Sequence, residues 1–184
     1  MNTLSQSINA TSTNVRVRVA SVADAVMLAL LRYEFRSYAD QVIEEGASFV
    51  ERCSTWMREQ LHNETHWKCW IAESQHVPVG NVWAQLVEKL PNPVAEAEHY
   101  VYLTNFYVRE AHRGHGIGSM LLSAALAWSK SRDAHAVILW PTERSKSIYL
   151  RHGYAEARDL MRLQIDQSAH ANGYKRLINN GKRR

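Results

Sequence analysis

The chain has 184 residues, 46% of them hydrophobic and 22% charged, which suits one domain with a real core and excludes a disordered or collagen-like chain. Its formal charge is +4, but residues 166–184 hold Lys175, Arg176, Lys182, Arg183 and Arg184 against Asp166 alone, which leaves residues 1–165 formally neutral. Net basicity is therefore a poor argument for a nucleic-acid partner. No apolar run reaches the ~18 residues of a membrane span, and Met1–Asn14 lacks the basic and apolar blocks of a secretory leader. Cys53 and Cys69 have no CxxC spacing and read as reduced thiols. The nine histidines form no HExxH or HxH pair, so no metal is expected. A cytoplasmic protein with no membrane partner is the expectation.

Residues 1–14 are polar and aperiodic and read as a flexible lead. Val15–Val19 alternates strictly, as a half-buried strand does. Ser21 and Asp24 have capping-box spacing and open a helix with Val26, Met27, Leu30, Leu31 and Phe35 on one stripe. A second box, Ser48 and Glu51, opens a helix to about Leu61. Trp67–Ile71 and Val79–Val87 read as strands joined through Ser74–Gly80, and Leu90–Pro93 starts a loop ending near Glu98. His99–Val108 is a strand rich in aromatic and β-branched residues. Arg113–Gly118 is a glycine-dense turn. Ile117–Lys130 is a helix, and Ala136–Trp140 a short strand broken by Pro141. Thr142 caps a helix that runs to His152 and stops at Gly153. Tyr154–Ile165 reads as a last strand. The order predicts one α/β domain with a mixed sheet over residues 15–165, followed by a basic tail at 166–184.

A glycine turn between a strand and a helix aims several backbone N–H groups at one point, beside the positive end of a helix dipole. A phosphate is the expected guest. The P-loop pattern fails because Ser119 follows Gly118 with no lysine. The dinucleotide pattern fails because its third glycine position falls on Ser119, and it also wants an acid about 20 residues on, where Ala134–Trp140 holds none. Arg113-Gly-His-Gly116-Ile-Gly118 does match [QR]xxGx[GA], and Ser147-Ile-Tyr149-Leu-Arg-His-Gly153-Tyr154 stands downstream. Together these resemble the GNAT superfamily of acetyl-CoA-dependent N-acetyltransferases, over about residues 15–165 and most densely over Tyr102–Tyr154.

The resemblance implies a mixed, mostly antiparallel sheet with splayed central strands flanked by helices. It implies acetyl-CoA as co-substrate and direct attack by a primary amine in a ternary complex. In the family the pantetheine arm lies in the splay. Here Phe106, Tyr107 and Val108 would offer it backbone groups, opposite Val137–Trp140. Arg113, Gly114, His115, Gly116, Ile117, Gly118 and Ser119 would cradle the pyrophosphate. Tyr149 falls where many members place a tyrosine near the coenzyme sulfur, as donor to the leaving thiolate; the other reading is a core aromatic. Tyr154 reads as packing. Tyr102–Val108 parallels a strand of diamine acetyltransferases, but Thr104 and Asn105 stand where those enzymes carry acids. That tells against polyamines. Asn105, Tyr102 and Tyr33 are candidates for the acceptor site, as are Glu34 and Tyr38 at the end of the first helix. Glu88, Glu96 and Glu98 are further candidates, with a solvated loop as the plainer reading of the last two. The general base is not nominated. The acceptor is read as a small-molecule amine. A protein lysine or N-terminus, or a non-catalytic acyl-CoA-binding role, stands as the alternative. Homodimers are common in the family.

Overall fold

The computed structural model describes residues 14–37, 44–62, 66–157, 160–163 and 165. Tyr38 and the basic tail lie outside the described residues. Eleven elements follow in chain order. They are β1 (Val15–Val19), a 3-10 turn (Val22–Asp24), α1 (Ala25–Ser37), α2 (Gly46–His62), β2 (Trp67–Ser74), β3 (Val77–Glu88), β4 (His99–Val108), a 3-10 turn (Glu110–His112), α3 (Ile117–Ser131), β5 (Ala134–Ile138) and α4 (Glu143–Arg151). The sheet runs β1-β2-β3-β4-β5. All its pairs are antiparallel except the parallel β4–β5 pair.

Side-chain alternation sends each strand's residues to two cores. Val82, Ala84 and Leu86 of β3 and Val101 and Leu103 of β4 pack with Ile117, Leu121, Leu122 and Ala125 of α3. Cys69, Ile71 and Trp83 pack on the opposite face with Ala25, Leu28 and Ala29 of α1 and Met57 of α2. Asp24 closes the start of the first helical segment, accepting from the Ser21 N–H at 2.7 Å and its hydroxyl at 2.9 Å. Asp24 also takes Arg18 of β1 at 2.8 Å, which ties the strand to the helix start.

The second expected box is displaced. The helix begins at Gly46, and the Glu45 carboxylate, not Ser48, accepts from the N–H groups of Ala47 and Ser48 at 3.0 Å each. An acid placed there meets the exposed N–H groups and the helix dipole together. The β2–β3 hairpin turns on Gln75 and His76, with φ of 51° and 64°. These are left-handed angles at two non-glycine residues, so both strands run longer than expected. The strand expected over Tyr154–Ile165 is not formed among the described residues there. Tyr154 instead folds back, its ring 5.4 Å from that of Tyr149, and β5 has no outer neighbour among the described residues.

One irregularity organises the site. The pairs Asn81↔Tyr107 and Trp83↔Thr104 enclose one residue of β3 but two of β4, so β4 carries a bulge at Asn105 and Phe106. Asn105 takes φ of 48° there. The buried Asn81 side chain donates from Nδ2 to the Asn105 carbonyl at 3.0 Å and pins the bulge. The extra residue reverses the phase of the strand. Phe106 and Val108 therefore join the α3 core, whereas Tyr107 turns to α1 and meets Phe35 at 5.4 Å.

Candidate active site

β4 and β5 pair only from His99↔Ala134 to Tyr102↔Ile138. Beyond that β4 runs on to Val108, while the chain after Ile138 leaves through Trp140 and Pro141. The splay therefore starts two residues later than expected, with Val137 and Ile138 still paired and only the chain beyond Ile138 diverging. Of the three residues expected to line it, Tyr107 points its carbonyl at β3, 2.7 Å from where a Cβ on Gly80 would stand. The Val108 carbonyl accepts from Arg113 Nε at 2.8 Å. By alternation the Phe106 backbone and the Val108 N–H face the gap.

The gap leads to the glycine turn. Gly114 and Gly116 adopt φ of 80° and 78°, and a Cβ on either would meet nothing within 4 Å. Their glycine requirement in the free chain is conformational, and the space beside them is open. Gly118 differs: a Cβ there would stand 2.9 Å from Ile148 Cδ1 and 3.1 Å from Phe106 Cζ. It is glycine so that α3, α4 and β4 can converge. The first i→i−4 bond of α3 runs from Met120 N–H to the Gly116 carbonyl at 3.1 Å. The N–H groups of Ile117, Gly118 and Ser119 precede it and form the positive helix end. Arg113 contributes differently from the expectation. Its N–H is bonded to the Glu110 carbonyl at 3.1 Å, and its guanidinium is turned onto β4 and the Tyr107 ring. His115 is exposed at the tip of the turn.

Tyr149 projects from α4 into the junction of these elements. It is 7% exposed, with the ring centroids of Phe106 and Tyr154 at 5.8 and 5.4 Å. Burial, with the neighbouring Tyr154, pushes its phenol well above the usual value, against a weaker opposing hydrogen bond from Ser145. The phenol is therefore neutral and a donor at any ordinary pH. Burial pushes Tyr154 up to about 12, and its hydroxyl has no partner among the described residues.

On the other face of β4 a cleft of about 550 Å³ opens between the sheet, α1 and α2. Tyr102, Thr104 and Asn105 line it from β4, with the Tyr102 hydroxyl donating to Thr104 Oγ1 at 3.1 Å. Tyr102 also meets Trp140 edge-on at 5.0 Å. Tyr33 stands behind the lining, its ring on Phe49 at 5.6 Å. Its chain neighbour Arg32 enters the cleft and donates to Asn105 Oδ1 at 3.1 Å. Arg32 was legible as a charge on an apolar stripe, four residues after the buried Leu28 and three before Phe35. The indoles of Trp56, Trp67 and Trp83 form a mutual cluster with centroids 5.4 to 6.1 Å apart; no local pattern announces it. The acidic candidates are elsewhere. Glu34 holds Arg109 at 2.6 Å, Glu96 holds Lys89 at 2.9 Å, and Glu88 and Glu98 sit where β3 and β4 leave the sheet, away from the lining. Among the described residues no cluster of three His, Cys, Asp or Glu could hold a metal, and no helix is long and apolar enough to cross a membrane.

A sheet that parts beside a glycine turn at a helix start leaves an open edge that leads to a ready anion site. The chain belongs to the GNAT acetyltransferase family, whose sequence profile matches residues 31–154. It is an acetyl-CoA-dependent N-acetyltransferase. A relative named as a probable N-acetyltransferase of Mycobacterium tuberculosis is 26% identical over 151 residues, 79% of each chain. Two solved structures share the fold at 21% identity. One is a GNAT protein of Ralstonia eutropha, with a TM-score of 0.69 over 83% of this chain and 100% of that one. The other is a predicted acetyltransferase of Clostridium acetobutylicum with acetyl-CoA, with a TM-score of 0.67 over 82% and 96%. The open cradle at Gly114 and Gly116 and the helix end behind it fit the diphosphate of this co-substrate.

Proposed function

We propose that this chain acetylates the primary amine of a small molecule, in the cytoplasm, with both substrates bound at once. The observation that supports it most is continuity. The β4–β5 gap, the turn at Gly114–Ser119 and the Tyr149 side chain adjoin on one side of β4, and the cleft lies against the other side at the bulge. Phe106 and the Val108 N–H would bind the pantetheine arm, and Gly114, Gly116 and the N–H groups of Ile117, Gly118 and Ser119 the pyrophosphate. Acetyl-CoA supplies the activated acetyl group as a thioester. A C–N bond forms to the acceptor and the C–S bond breaks. The departing thiolate accepts a hydrogen bond from Tyr149, whose buried phenol keeps its own proton, and is protonated from water, which takes up the proton that the amine loses.

The amine must also lose a proton. Among the described residues no carboxylate or histidine lines the cleft, and burial raises the Cys53 thiol above its ordinary range. The acceptor therefore reacts as the free amine, with its proton lost to water. A cleft of about 550 Å³ walled by aromatic rings suits a small molecule better than a peptide. Two free thiols, Cys53 and Cys69, accord with a reducing compartment.

The test pairs acetyl-CoA thermal shift with release of free thiol. Acetyl-CoA should raise the melting temperature of wild type and of Tyr149→Phe alike, while the variant loses ~100-fold in kcat, within the range for a lost hydrogen-bond donor to a developing anion. No thermal shift would remove the reading, and unchanged kcat would remove Tyr149 from its role. With wild type, kcat/KM should climb with pH until it meets the amine's own pKa, whereas a plateau well below that value would require a protein base.

A further inference from the structure

The cleft has a charge that its own lining does not answer. Arg32 is half-buried in it, and burial, followed by the Arg36 charge, lowers its pKa. An arginine nevertheless stays charged in a protein. Its bond within the cleft is to the neutral Asn105 Oδ1 at 3.1 Å, and no carboxylate lines the cleft among the described residues. Arg52 adds a second guanidinium at the rim, held by Glu44 and by the Phe49 ring 5.5 Å away. A cation taken from water without an anion is costly, and a ligand that brings one recovers that cost.

The rest of the wall is flat and apolar. Trp56, Trp67 and Trp83 pack on one another, edge-on or tilted, and form one wall of the cleft, with Phe49 and Tyr102 also lining it. The indole N–H of Trp83, itself 2% exposed, has no partner among the described residues.

We infer that the acceptor is an amino acid or closely similar amine, bearing a carboxylate that pairs with Arg32 and a planar apolar side chain that lies against the wall formed by the indole cluster. The inference rests on the acetyltransfer reading and names the substrate of that same site. Arg32 reaches the bulge residue Asn105, next to Phe106 and the gap. An anion on Arg32 and an amine at the thioester are thus brought within the span of one small molecule, as in an α-amino acid. The same charge rejects a polyamine by repulsion.

The experiment is an acceptor panel on the full chain with acetyl-CoA. It sets L-tryptophan and L-phenylalanine against tryptamine and phenethylamine, which lack only the carboxylate, with spermidine and O-phosphoethanolamine as further arms. Wild type should favour each amino acid over its decarboxylated partner by at least about tenfold in kcat/KM, carried mainly by KM. Arg32→Met should collapse that ratio to within about threefold of unity, and Arg32→Lys should keep part of it. Quenching of tryptophan emission by L-phenylalanine without coenzyme gives a readout independent of turnover. Preference for tryptamine or spermidine would overturn the inference. So would preference for the phosphate over the carboxylates, or an equal loss for all acceptors in Arg32→Met. Acetyl-CoA binding with none of these preferences would overturn the acceptor class alone, whereas failure of acetyl-CoA to bind would overturn both readings.

Discussion

Gly116→Ala separates the cost of a left-handed backbone from the cost of filling the anion cradle. In the free chain the new Cβ meets nothing within 4 Å, so only the φ of 78° is penalised. A left-handed alanine costs about 1–2 kcal/mol, and the stiffer unfolded chain returns roughly 0.4–1 kcal/mol. The net is about 1 kcal/mol, or a drop of roughly 2–4 °C in melting temperature at this size. Coenzyme at a hundred times its Kd should raise wild type by ~2.7 kcal/mol, or roughly 5–11 °C. A methyl in the cradle that weakens binding ~100-fold would cut that gain to ~0.4 kcal/mol, about 1 °C. Gly153→Ala is the matched control. Its φ is 84°, its Cβ also meets nothing within 4 Å, and it lies outside the turn. It should lose as much basal stability and keep the whole coenzyme shift. Differential scanning fluorimetry with and without acetyl-CoA reads all three. A full coenzyme shift in Gly116→Ala, or a shift lost equally in Gly153→Ala, would refute the assignment of the cradle.

Two further outcomes concern the frame around the site. Hydrogen bonds from the Arg18 guanidinium hold the Asp24 carboxyl at about 2, from an ordinary 3.8. A depressed carboxyl stabilises the fold above its unfolded value and loses that contribution as pH falls toward the folded one. Asp24→Asn should therefore cost on the order of 1–2 kcal/mol near neutrality, after allowing for partial exposure, and the variant's loss should shrink as pH falls toward the folded value of about 2 and vanish only below it. Urea midpoints against pH would show it, and parallel curves for variant and wild type would contradict it. Gly118→Ala should destabilise by about 1–3 kcal/mol through overpacking, less the ~1 kcal/mol that alanine gains in a helix. Adding Ile148→Val removes the Cδ1 that stands 2.9 Å away, so the pair should be milder than the sum of the single changes by about 1 kcal/mol. Additivity within ~0.3 kcal/mol would mean that α3 and α4 do not meet as described.

Local signals and non-local ones divide the sequence reading. β4 matches its predicted bounds because ten residues of aromatic and β-branched chain, His99–Val108, leave little choice. Thr142 caps α4 as expected, through a reciprocal pair with Ser145, and Gly153 ends it. Where two local choices compete, tertiary packing decides. Ser48 and Glu45 could each cap α2, and the helix takes the acid. β5 starts at Ala134 rather than Ala136 because pairing with His99 sets its register. The strand expected over Tyr154–Ile165 finds no pairing partner among the described residues, and a strand without a partner forms no ladder. The cleft was least legible. Its lining comes from α1, α2, β2, β3 and β4, and only the folded sheet brings Arg32, Trp56 and Trp83 together.

The bulge at Asn105 and Phe106 has a meaning for how such a protein can change. Upstream of it, β4 presents Tyr102 and Thr104 to the cleft; downstream, it presents Phe106 and Val108 to the α3 core. The extra residue works as a joint between two modules written on one strand. Under the proposed acetyltransfer reading, substitutions at Tyr102 or Thr104 would retune the acceptor while Phe106 keeps its seat beside Tyr149. Deleting a single residue at the joint would exchange the two faces and spoil both. New acceptor preferences are thus reachable by point changes on the upstream side, while length at the joint is fixed.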